Sequence, residues 1–142
     1  MLNNKKLNVE IIVADYYKKI TTPMLKSSTD ILKKNKINYS VSYVAGAYEI
    51  PQLISYKIKK NQINLFIAFG CIIKGETYHF EVLSNSIAKS LLDLCIHNKK
   101  TFVTNGILNV NKMSQAVTRS SNKKNKGIES ANAILSIIRC IT

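Results

Sequence analysis

Acidic residues, cysteine, histidine and long apolar runs are all scarce in this sequence, and each shortage closes off a class of function. No apolar run approaches the roughly 20 residues that cross a bilayer, so no membrane partner is expected. The first residues, Met1-Leu2-Asn3-Asn4-Lys5-Lys6, are polar and carry no apolar signal core, which points to a cytoplasmic protein. The three cysteines, Cys71, Cys95 and Cys140, are odd in number, far apart and free of any Cys-x-x-Cys unit. Neither a disulfide framework nor a zinc site follows from them. Cys95 and Cys140 fall on apolar helix faces and read as core residues. Asp and Glu number 8 against 21 Lys and Arg, giving a net charge of +13. Such a charge invites a nucleic-acid partner. The lysines, however, are scattered in short pairs, and Lys, Asn and Ile together are what AT-rich codons encode. No nucleic-acid partner is therefore expected, although an anionic small substrate would still gain from the field.

What is present is enough chain for one core. At 142 residues and 46% hydrophobic, residues 1–142 read as a single domain, with 1–7 expected to be flexible. No repeat, low-complexity linker or second-domain boundary interrupts it. Asn8 to Asp15 is a β-branched apolar run, a buried strand. Thr21-Thr22-Pro23 reads as a helix start, a hydroxyl cap followed by proline in the first turn. Met24, Ser28, Ile31, Leu32 and Asn35 then recur at helical spacing. Tyr39, Val41 and Tyr43 alternate with serines, as in a strand. Gly46 to Pro51 closes that strand and opens a helix to about Lys60.

Ile63 to Ile73 is the third strand, and Phe80 to Asn98 a long helix with Val82, Ser86, Ala88, Leu91, Leu92 and Cys95 as its inner side. Thr101 to Leu108 is the fourth strand, and Lys112 to Arg119 and Gly127 to Ile141 are the last helices. Four alternations of strand and helix predict a parallel four-stranded sheet covered by helices on both faces, a three-layer α/β/α sandwich. Ligands of such sheets bind beyond the carboxyl ends of the strands, where strand order switches. Tyr16, Tyr48, Lys74 and Asn105 follow strands and are expected to converge there.

The stretch from Gly70 to His79 concentrates the candidate chemistry. It joins a strand to a helix through a Gly-punctuated turn, a geometry that presents backbone N–H groups to an anion. Lys74, Thr77 and His79 add a cation, a hydroxyl and a base able to exchange protons near neutral pH. His97 has no such company and reads as structural. Arg119, at a helix end, offers a planar fork that matches phosphate. Tyr16 and Tyr17 follow the first strand, where an aromatic ring can stack on a flat heterocycle, and Glu49 is an acceptor for ligand hydroxyls.

Four ordered stretches, collinear from about Val9 to Ile138, carry a more specific signal. They are Gly46-Ala47-Tyr48-Glu49-Ile50-Pro51, then Gly70 to Glu81, then Gln115-Ala116 with Arg119, and last Asn125-Lys126-Gly127. Together they resemble the 6,7-dimethyl-8-ribityllumazine synthase family of riboflavin biosynthesis. The resemblance implies a flavodoxin-like sheet and a transferase. Its reaction would condense 5-amino-6-(D-ribitylamino)uracil with 3,4-dihydroxy-2-butanone 4-phosphate, giving the lumazine, phosphate and water. It implies that Tyr16 stacks on the pyrimidine and that Ala47, Tyr48 and Glu49 hold the ring and ribityl chain. Backbone at Cys71, Ile72 and Ile73 would bind the uracil, with Asn105 and Lys126 nearby. Glu76, Thr77 and Arg119 would hold the phosphate, Glu129 would lie near the arginine, and His79 would donate protons. No metal and no cofactor are implied.

The same resemblance implies a cytoplasmic, pentamer-based homo-oligomer with sites at subunit interfaces, and a functional link to riboflavin synthase. The sequence departs from the family pattern at Tyr16, Asn105, Asn109 and Thr118. The loop from Ser120 to Lys126 is also about one residue shorter than in shell-forming members, which favours a free pentamer or decamer. None of these departures removes His79, Arg119 or the Gly-rich turn, so an active enzyme is expected.

Overall fold

A strand that is apolar at every position is stable only with both of its faces covered. Asn64–Ile73 is such a strand from its second residue on, and the buried Asn64 amide is satisfied by the Lys59 backbone. In the computed structural model, which describes residues 7–142, it is β3, and nine of its ten residues are buried. Its neighbours are β1 (Asn8–Ala14) on one side and β4 (Thr101–Val110) on the other, with β2 (Asn38–Val44) beyond β1. The order β2-β1-β3-β4 is parallel throughout. The chain therefore winds one way from β1 to β2 and the other way from β2 to β3. The reversal lies between β1 and β3.

Helices α1 (Lys18–Lys34) and α5 (Lys126–Ile141) cover one face of the sheet, and α2 (Glu49–Lys57) and α3 (His79–His97) the other. Side chains of β3 alternate between the two resulting cores. Leu65, Ile67, Phe69 and Cys71 meet Met24, Leu32, Ile134 and Ile138. Phe66, Ala68 and Ile72 meet Ile50, Ile54, Ile87 and Leu91. Each large side chain so buried contributes about 1.5–3 kcal/mol. The expected α/β/α sandwich with a flavodoxin-like parallel sheet is the fold observed. Of the terminal stretch expected to be flexible, residues 1–6 lie outside the described residues, and Leu7 packs into the first core at 5% exposure.

Three local readings change. Helix α1 starts five residues before Pro23, which sits inside it. A 3-10 turn over Asp15–Tyr17 leads directly into Lys18, so the chain is already helical when proline arrives. The proline then forgoes a bond only to the Lys19 carbonyl, near the helix start. The inner side of α3 is Ile87 and Leu91; Val82 and Leu92, expected inside, are more than 60% exposed, as is Ile96. Cys140, read as core, is exposed, and Cys95 is only half-buried.

Two contacts bring the chain's last third to bear on the rest. A Cβ at Gly127 would strike the backbone carbonyl of Met24, so glycine is what lets α5 approach α1. Asn125 caps α5 by accepting the Gly127 N–H at 2.7 Å and donates to Ser27 Oγ at 2.8 Å. Helix α4 (Met113–Arg119) starts where Gln115 Oε1 accepts the N–H groups of Asn111 and Lys112, at 2.8 and 3.2 Å. Ala116, one residue on, is fully buried. These three pins fix where Arg119 and Lys126 stand.

Candidate active site

At the carboxyl ends of β1 and β3 the sheet opens into a cleft of about 570 Å³, lined by Tyr16, Tyr17, Ala47, Tyr48, Glu49, Cys71, Ile72 and His79. Gly46 and Leu83 complete its wall. This is the crevice where strand order reverses, the place a parallel sheet offers a ligand. Its volume suits a small organic molecule. The tight turn after β1 delivers the tyrosines, whose rings meet edge to face at 81° with centroids 4.8 Å apart. Tyr16 is 76% exposed and Tyr48 63%. Ala47 is buried where α2 begins, and Glu49 lies in that helix's first turn. Burial pushes the Cys71 thiol up to about 11, so it stays protonated at neutral pH and is a poor nucleophile.

The turn from Lys74 to Tyr78 runs along the rim. The Lys74 N–H donates to the Val110 carbonyl at 2.9 Å, and Lys74 Nζ lies 3.5 Å from Glu81 Oε1. Lys74 thus spans the turn and pairs with α3, and it does not line the cleft. Glu76 and Thr77 are exposed. Thr77 Oγ1 accepts the His79 N–H at 3.4 Å, and a Cβ on Gly75 would meet nothing within 4 Å. The bend is open to solvent on that side. His79 opens α3, exposed and on the cleft wall.

Arg119 stands elsewhere. A second cleft of about 400 Å³ is lined by the end of β4, Ile107 to Val110, together with Arg119, Lys124, Lys126 and Glu129. Lys126 Nζ pairs with Glu129 Oε1 at 2.8 Å. Among the described residues Arg119 has no ion-pair or hydrogen-bond partner. Three cations against one carboxylate leave this cleft positive. Among the described residues, no three His, Cys, Asp or Glu side chains gather as metal ligands would.

The expected convergence is therefore corrected in part. Tyr16 and Tyr48 do meet, with Cys71, Ile72 and His79. Lys74 does not join them. Asn105 is not at a strand end but in the middle of β4, opposite Ala68, where its Oδ1 accepts the Ile107 N–H at 3.0 Å. It is exposed and lines neither cleft. Ile73 is half-buried and packs on the core beside the first cleft. The residue after Asn105, Gly106, is required by space. A Cβ there would lie 2.6 Å from the Phe69 ring.

The model of one protein family, 6,7-dimethyl-8-ribityllumazine synthase, matches residues 6–142. The chain belongs to that family. It is 40% identical over 137 residues to a protein of that name from Bartonella tribocorum, covering 94% of this chain and 89% of the relative. A namesake from Bartonella henselae is also 40% identical over 137 residues, covering 94% and 88%. One from Buchnera aphidicola subsp. Baizongia pistaciae is 36% identical over 141 residues, covering 96% and 88%.

For a lumazine synthase family member, sequence reading named Tyr17 beside Tyr16 and Gly46 within its motif, but left out Leu83 from the aromatic cleft and Lys124 from the basic one. Leu83 carried a signal, since it lies four residues after His79 and shares its helix face. Lys124 carried none. It adjoins Lys123, and only the 3-10 turn over Asn122–Lys124 decides which of the two reaches Arg119.

Proposed function

We propose that this chain condenses 5-amino-6-(D-ribitylamino)uracil with 3,4-dihydroxy-2-butanone 4-phosphate to 6,7-dimethyl-8-ribityllumazine, releasing phosphate and water. The observation that carries the reading is the company His79 keeps. A base with accessible nitrogens shares one cleft with an exposed aromatic ring, Tyr16, and with the strand end Cys71-Ile72. In this reading Tyr16 stacks on the pyrimidine. Backbone at Cys71, Ile72 and Ile73 reads the uracil edge, while Ala47, Tyr48 and Glu49 hold the ribityl chain.

The uracil's 5-amine attacks the ketone, and loss of a first water gives an imine. A proton leaves C3 as the C4–oxygen bond to phosphate breaks, the phosphate departs as the anion, and the resulting enol takes a proton at C4 to become a ketone bearing a methyl group. The ribityl-bearing nitrogen then closes the ring on the remaining carbonyl, with loss of a second water. His79 moves protons in these steps. Arg119, with backbone at Glu76 and Thr77, retains the phosphate by charge-assisted hydrogen bonds. Holding two reactants side by side supplies much of the remaining acceleration. The chain's net charge of +13 favours arrival of the phosphorylated substrate.

Two separate clefts on one chain support a site shared between copies, in which Arg119, Lys126 and Asn105 of one subunit complete the aromatic cleft of the next. The uncovered apolar side of α3, with Val82, Leu92 and Ile96, is a surface suited to a neighbouring copy. We take the assembly to be pentamer-based and cytoplasmic. Among the described residues no helix is long and apolar enough to cross a membrane. The test is a two-substrate assay of the purified protein, following lumazine fluorescence, with solution mass measured on the same sample. Turnover from a pentamer-based species is expected; no rate above the uncatalysed background at saturating substrates would overturn the reading.

A further inference from the structure

Tyr16 is exposed on the wall of the aromatic cleft, and Tyr17, beside it, is anchored. The ring of Tyr17 is half-buried against the core that contains Cys71 and Met24, and its carbonyl accepts from Thr21 Oγ1 at 3.4 Å. Its edge-to-face contact is the one ring pair among the described residues. Burial first, then Tyr16 and Cys71, push the Tyr17 phenol above its usual range, so it remains neutral at any working pH. An exposed ring with no anchor samples several rotamers and surrenders that freedom when a ligand stacks on it. An edge-to-face partner fixed in the core reduces that loss.

We propose that Tyr17 is a positioning residue for the heterocycle, holding the Tyr16 ring in the orientation that stacks. The proposal rests on the reading of this cleft as the pyrimidine site. Tyr17 acts through Tyr16 and has no contact of its own to make with the reacting atoms. Its contribution belongs to the uracil and lumazine side, and the phosphate side is untouched.

The experiment measures the dissociation constant of 6,7-dimethyl-8-ribityllumazine by its fluorescence, and KM for each substrate, in single and double variants. Tyr17→Leu and Tyr17→Met each keep an apolar side chain on the core and remove the ring, so either serves if the other folds poorly. Loss of an edge-to-face pair corresponds to about two- to tenfold weaker lumazine binding. KM for the butanone phosphate should stay constant. Tyr17→Phe, which keeps the ring, should restore affinity to within about twofold. In a Tyr16→Ala background, Tyr17→Leu should cost nothing more, because the ring it positions is gone. Unchanged affinity in Tyr17→Leu, or an equal loss in the Tyr16→Ala background, would overturn the proposal. If Tyr16→Ala itself binds lumazine normally, the pyrimidine reading of the cleft fails first, and this proposal with it.

Discussion

The two clefts are built on opposite physical plans. The aromatic one is walled by the 3-10 turn after β1, the end of β3 and the starts of α2 and α3, with its floor in the core. The basic one lies at the sheet's edge, on β4, a short helix, a 3-10 turn and the first turn of α5. A flat heterocycle gains from aromatic rings it can cover. A phosphate gains from cations that stay wet until it arrives. The contrast teaches that one chain keeps its aromatic and its cationic groups in separate clefts, so that on the proposed reading recognition of the ring and of the anion can be broken one at a time.

The largest break is Arg119→Ala. It removes a forked, charged donor, worth about 1.5–3 kcal/mol, so KM for the butanone phosphate should rise by ten- to a hundredfold. Lumazine affinity should change by less than about threefold. Equal losses for both ligands would mean that the two clefts are not separable. His79→Ala comes next. Turnover should fall about ten- to a hundredfold with lumazine affinity preserved, because on the proposed reading the imidazole moves protons and does not hold the ring. Unchanged turnover would remove His79 from the chemistry.

How much of this was legible beforehand depends on whether a residue's partner lies near it in sequence. The all-apolar run Leu65 to Ile72 declared a central strand, and the alternation around it declared the sandwich. The Gly46–Glu49 and Gly70–His79 stretches declared one cleft, since each lies at the carboxyl end of a strand. The start of α1 was misplaced because a 3-10 turn with no capping side chain has no signature, whereas Pro23 has a loud one. Val82 and Leu92 were placed inside because apolar spacing on a helix reports that a face is covered, not by which chain. Asn105 was expected at a strand end. The reason Gly106 follows it, the ring of Phe69, lies 37 residues away and is invisible in a window.

A gentler test uses Cys71 as a gauge of how dry the aromatic cleft is. Thiols react as thiolates, and a thiol held near 11 carries ten times more thiolate for each unit that pH rises below that value. Alkylation of Cys71 should therefore climb about tenfold per unit from pH 8 to beyond 10, with no plateau near the ordinary thiol range of about 8.5. Exposed Cys140 should be modified first, and bound lumazine should slow Cys71 alone. A plateau near pH 9 would mean that water reaches the end of β3.

The smallest effect tests the basic cleft through its scaffold. Asn125→Ala deletes the cap of α5 and leaves Ser27 Oγ without its bond. A lost cap costs about 0.5–2 kcal/mol, typically near 1, and the half-exposed serine can turn to water. The melting temperature should drop by about 2–6 °C. The first turn of α5 carries Lys126 and Glu129, so its fraying loosens the basic cleft, and KM for the butanone phosphate should rise about two- to threefold. No residue of the same chain's aromatic cleft hangs from that turn, and of the proposed ring contacts only Lys126, towards a neighbouring copy, does, so lumazine affinity should fall by less than the phosphate KM rises. If it moves as much as the phosphate KM, the cap stabilises both clefts through α1, whose Met24 backbone Gly127 touches. The separation drawn between ring and anion would then hold for the chemistry but not for the fold beneath it.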